Sequence, residues 1–198
     1  MEQCISGFLV GASLLLALWH RAPANLERYL WAVLIEIPFL WAANAWWGDW
    51  SVAYAVTYIV FTVPILYCIA RFVLDCLRGR PMRLRALAIS SLFAMVTARG
   101  AYLGLPQPVD GFRAISIVEG FVLVWAGLLS LFLTPYVRRP DLIFPLGLLW
   151  LGQAYFSFGW TFNALSWGHA LNWLVPPALG CACFLLIAWR LRVTMAAT

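Results

Sequence analysis

Seven runs of mainly apolar residues, each about twenty long and divided by short polar breaks, constrain this chain more than any other feature of its sequence. They fall at 5–20, 29–47, 51–75, 86–104, 114–137, 142–165 and 170–190. A helix rises ~1.5 Å per residue and bilayer hydrocarbon is ~30 Å thick, so these runs have the length of membrane-crossing helices. The longest connection, Cys76 to Arg85, is ten residues, which leaves no room for a second, aqueous domain. The expectation is an all-α integral membrane protein, one transmembrane domain over residues 1–198. Composition agrees: 64% hydrophobic and 11% charged residues stand far from the roughly 45–50% and about 25% of soluble domains. The first run, Ile5 to Trp19, has no basic residue before it and ends in Trp-His-Arg without a small-residue cleavage site. It is expected to be a retained first helix rather than a signal peptide.

The charges give a direction. All thirteen basic residues are arginine, and ten of them (Arg21, Arg28, Arg78, Arg80, Arg83, Arg85, Arg138, Arg139, Arg190 and Arg192) fall in the tail and in the connections on one side. The connections on the other side carry only Arg113. Short positively charged loops resist translocation, so the sequence predicts an N-terminus outside and a C-terminus in the cytoplasm. The net charge of +5 therefore reads as topology, with anionic lipid head groups as its partner and no nucleic acid. The expected location is a plasma membrane of the bacterial inner-membrane type.

Several chemistries are excluded by residue type. Without lysine there is no Schiff base, hence no retinal and no lysine-dependent covalent catalysis. His20 and His169 are expected on opposite faces of the membrane and cannot share a haem or a zinc ion. The five cysteines show no metal-type spacing and no disulfide framework. No Ser-His-acid grouping, acidic metal cluster or glycine-rich phosphate loop is present, so no enzyme, cofactor or metal site is expected.

Five of the twelve tryptophans, Trp46, Trp47, Trp50, Trp167 and Trp173, gather at the outer ends of the runs. Indoles prefer the head-group boundary, and a rim of them is also suited to holding a sugar or a cation. Within this region the chain resembles itself: Trp41, Asn44 and Ala45 match Trp160, Asn163 and Ala164 at one offset, 119 residues. Helices one to three then read as a parallel copy of helices five to seven, with repeats over 1–80 and 114–198 and a linker helix at 86–104. This three-plus-one-plus-three order is similar to that of small sugar facilitators of the SWEET and PQ-loop type. Their Pro-Gln pair lies within a helix of each triplet, whereas Pro106-Gln107 lies in the loop after helix four, so no residue roles are carried across.

Polar groups inside the runs are the candidate site, because ionisable residues in hydrocarbon cost a few kcal/mol or more. Arg99 and Glu119 share a depth on consecutive antiparallel helices, which predicts an ion pair. Glu36, two residues before Pro38, has no evident partner and is a candidate for a cavity or a proton relay. Each Trp-Asn pair, Trp41 with Asn44 and Trp160 with Asn163, puts a flat apolar plate beside an amide on one helix face. Facing each other, the pairs would suit a neutral polyol or amide, and Gln153, Tyr155 and Ser157 would add polar contacts. As simple interhelical links, the same asparagines would hold helices together. The sequence thus predicts a small carrier or facilitator for a polar small molecule, proton-coupled through the intramembrane acids. The competing class is a non-catalytic subunit or assembly factor of a membrane complex, or a receptor-like sensor, packed against itself or against partner proteins.

Overall fold

The structure, a computed structural model, describes residues 2–19, 22–48, 51–78, 83–105, 111–136, 140–162 and 169–196. These form seven α-helices: α1 (Glu2–Trp19), α2 (Ala24–Trp47), α3 (Val52–Leu77), α4 (Arg83–Leu103), α5 (Gly111–Leu133), α6 (Pro140–Phe162) and α7 (His169–Ala196). A single turn of tighter helix, Thr134–Tyr136, follows α5. Every expected run has its own helix. The main difference in length is α7, which continues past residue 190 to Ala196 and so carries Arg190 and Arg192 on the helix rather than in a tail. No glycine or proline follows Trp189 to stop it, and arginine is a good helix former.

Among the described residues five helices are long and apolar enough to cross a membrane: α2, α3, and the stretches Leu84–Leu103, Arg113–Leu133 and Val175–Val193. The first helix contributes a shorter apolar stretch, Phe8–Trp19. Local chemistry sets the turn between α2 and α3. Gly48, with φ of +78°, takes the left-handed conformation that ends α2, and the Ser51 side chain caps α3 by accepting from the Tyr54 amide at 3.0 Å. Pro38 and Pro64 sit inside α2 and α3 on exposed faces, and neither ends its helix.

Six helices pack in a closed cycle: α1 on α2, α2 on α3, α3 on α5, α5 on α6, α6 on α7, and α7 back on α1. The remaining helix, α4, packs on α5 and lightly on α6. Its buried side is Ala86, Ser90, Ala94 and Ala101, while Leu92, Phe93, Met95 and Val96 are exposed. One main core fills the cycle, with Leu14, Leu26, Ile69, Leu129, Leu146 and Phe184 drawn from six different helices. The α5 and α6 backbones approach closely at Gly127 and Gly147, where a Cβ on Gly127 would stand 3.0 Å from the Gly147 carbonyl oxygen. Small residues serve such contacts in lipid because association there relies on close packing rather than on the hydrophobic effect.

Near the ends of α2 and α3 where the arginines gather, polar and aromatic contacts cross the interior. The buried Trp150 indole on α6 donates to the Tyr29 hydroxyl on α2 at 3.2 Å, and its ring meets Tyr29 and Phe72 edge to face at 5.8 and 6.2 Å. Asn25 on α2 donates to Asp75 on α3, which also stands 3.8 Å from Arg71.

Candidate functional site

Towards the opposite end of the bundle, four helices converge on a carboxylate. Glu119 lies eight residues into α5 and belongs to that helix's inward stripe, beside the buried Ser116, Gly120 and Leu123. The Tyr58 phenol on α3 donates to Glu119 Oε2, and the Ser157 hydroxyl on α6 donates to the same oxygen at 2.9 Å. Ser157 is brought there by its neighbour. The Phe158 ring lies over Gly120, where a Cβ would come within 2.6 Å of it, so only glycine leaves room for α6 to bring Ser157 against Glu119.

Glu36 on α2 is half-buried and close enough to Glu119 and Tyr58 for their charges to interact. Thr62, one turn along α3 from Tyr58 and beside its phenol, is only 3% exposed, and its hydroxyl makes no hydrogen bond of ordinary geometry. The assembled site is two carboxyls and three hydroxyls, from α2, α3, α5 and α6.

The expected ion pair does not form. Arg99 is exposed, and no ion pair joins it to Glu119 among the described residues. Depth is one coordinate of two, and the rotation of α4 about its axis is the other. Arg99 is five residues from the buried Ala94, which at ~100° per residue turns it about 140° away, onto the outward side of α4 beside Met95 and Val96. There its long stem can reach the polar boundary.

Of the two Trp-Asn pairs, Trp41 is half-buried on α2. The side chains of Asn44 and Trp160, and all of Asn163, lie outside the described residues. Of the polar residues expected on α6, Ser157 joins the site, Tyr155 is exposed and Gln153 is half-buried. Sequence reasoning missed Tyr58 and Thr62. Two hydroxyls four residues apart share one face of an otherwise apolar helix, and that spacing was available as a signal. Trp46 and Trp47, at the end of α2, are strongly exposed and meet edge to face at 5.8 Å, the disposition of a boundary aromatic pair. Among the described residues no three His, Cys, Asp or Glu side chains gather as metal ligands.

Compared with protein-family models, curated proteins and solved structures, the chain matches none.

Proposed function

We propose that the protein is a small carrier that crosses the membrane seven times and moves a polar small molecule with proton coupling. Its N-terminus lies outside and its C-terminus in the cytoplasm. The observation that carries the reading is Glu119, a carboxyl held among apolar helices by two hydroxyls from two other helices, with Glu36 within electrostatic reach. Among the described residues neither acid is paired with an arginine. If Glu119 served only to link helices, a neutral amide or hydroxyl would do so without the cost of burying an ionisable group. An acid without a counter-charge is suited to taking up and releasing a proton.

The packing order supports the triplet arrangement behind this reading. Exchanging α1, α2 and α3 for α5, α6 and α7 leaves the cycle of contacts unchanged, because α1 on α2 maps to α5 on α6, α2 on α3 to α6 on α7, and α3 on α5 to α7 on α1. The odd helix, α4, is outside the cycle, where a linker belongs. Between the triplets α3 packs on α5 and α1 on α7, and side-chain contacts join Tyr58 to Glu119 near one end and Tyr29 and Phe72 to Trp150 towards the other. A carrier that exposes a central site to each side in turn must open one set while the other stays closed.

Proteoliposome swelling tests the reading. Protein-containing vesicles should take up at least one of glycerol, xylitol, glucose or glycine faster than protein-free vesicles, and an imposed proton gradient should accelerate it. Glu119→Gln should remove the acceleration. Absence of flux for every solute, with a fixed-stoichiometry partner co-purifying, would replace the carrier by a subunit of a membrane complex.

A further inference from the structure

We propose that the Glu119 cluster binds a monovalent cation, an alkali ion or a small alkylammonium, in exchange for a proton. The proposal uses the carboxyl that the carrier reading uses, but binding by itself needs no transport.

The donor set is all oxygen: Glu119, Tyr58, Ser157 and Thr62, with Glu36 nearby. Oxygen-only sites suit hard cations. Two donors fall on one oxygen of Glu119, which makes Oε2 an acceptor and leaves Oε1 without a hydrogen bond among the described residues. Oε1 is therefore where a proton, or a cation in its place, belongs. The Thr62 hydroxyl, buried beside the Tyr58 phenol and without a hydrogen bond of ordinary geometry, adds a third hydroxyl oxygen to the cluster. A single positive charge fits better than two. With Glu36 holding its proton, one cation on Glu119 leaves the low-dielectric interior neutral.

Among the described residues no ion pair reaches Glu119. Glu36 faces the cluster from α2, Tyr58 and Thr62 from α3, and Ser157 from α6. Arg99 on α4 faces outward, and Arg113 on α5 itself is six residues nearer the helix start, about 9 Å along the axis and on another face. Cation entry is balanced by proton exit: the Glu119 O–H bond breaks, the cation takes the place of the proton on the carboxylate, and the proton leaves to solvent.

The test is proton release from the purified full chain in weakly buffered detergent, read by a pH-indicator dye, on addition of sodium, potassium or methylammonium chloride. N-methylglucamine chloride, too bulky for the cluster, controls for ionic strength. The expected result is saturable release with at least one of the three small cations, absent with N-methylglucamine and abolished in Glu119→Gln. Response to sodium or potassium identifies an alkali ion, and response to methylammonium alone identifies an amine. Tyr58→Phe and Ser157→Ala, which keep the acid, should weaken the apparent affinity without abolishing release. Absence of release with all three salts, or release unchanged in a Glu119→Gln protein that retains the wild-type melting profile, overturns the proposal. Release without solute flux in vesicles leaves the cation site standing and removes the carrier.

Discussion

Replacing Gly127 by alanine offers a sharp test of the α5–α6 contact, because three glycines in this protein differ only in what a methyl group would meet. At Gly127 the new Cβ would stand 2.6 Å from Leu151 Cγ, 2.9 Å from its Cδ2 and 3.0 Å from the Gly147 carbonyl oxygen. Leu151 can rotate, but the carbonyl belongs to the α6 backbone and moves only if the helices part. At Gly152 the Cβ would meet Leu179 Cδ2 at 2.4 Å, yet Leu179 Cγ is 3.9 Å away, so one rotation of a flexible terminus clears the space. At Gly100 nothing lies within 4 Å. Overpacking against backbone costs about 1–3 kcal/mol, while glycine to alanine in a helix returns about 1 kcal/mol where there is room. Gly127→Ala should thus lose up to about 2 kcal/mol net, whereas Gly100→Ala and Gly152→Ala should change little or gain up to about 1 kcal/mol. At roughly 2–4 °C per kcal/mol for a chain of this size, the Gly127 variant should melt up to about 8 °C lower. Thermal unfolding in detergent, followed by a thiol-reactive dye reporting exposure of the buried Cys183, measures all three. If Gly127→Ala melts at or above Gly152→Ala, the close approach of α5 and α6 at this point is wrong.

The other predictions address side chains. Tyr29→Phe and Trp150→Phe should each destabilise by about 1–3 kcal/mol, because each leaves a buried polar partner unmet, and a double-mutant cycle should show coupling of about 1 kcal/mol. Absence of coupling in thermal or denaturant unfolding would remove the hydrogen bond between them. Exchanging the charges, Arg99→Glu with Glu119→Arg, should not recover the stability lost by Glu119→Arg alone, and full recovery would restore the ion pair that the helix register denies. Asp75→Ala should cost under about 1 kcal/mol despite its contacts with Asn25 and Arg71, since exposed pairs are weak, and a melting shift well beyond that would show the α2–α3 junction to be buried in the membrane-embedded protein.

Which segments become helices, and roughly where each ends, could be read from the chain alone, because a twenty-residue apolar run between arginines has few alternatives once lipid is its solvent. The short break at 48–50 was legible from the same hydropathy pattern, whereas the Gly48 turn and the Ser51 cap come from the structure. Depth was legible only coarsely: Arg99 lies four residues from the end of α4 and Glu119 eight from the start of α5. Azimuth was not. A helix rotated about its axis keeps its composition and depth while changing every partner, and α4 shows it, turning Ala94 inward and Arg99 outward. The pairing of Glu119 with Tyr58 and Ser157 depends on that rotation and on α3 and α6 lying beside α5 while α4 stands outside the cycle. Arginine bias and hydropathy determine which residues enter the membrane. Packing among helices of nearly equal apolarity decides which of those residues meet, since that choice turns on shape and on a few glycines rather than on the transfer of residues out of water.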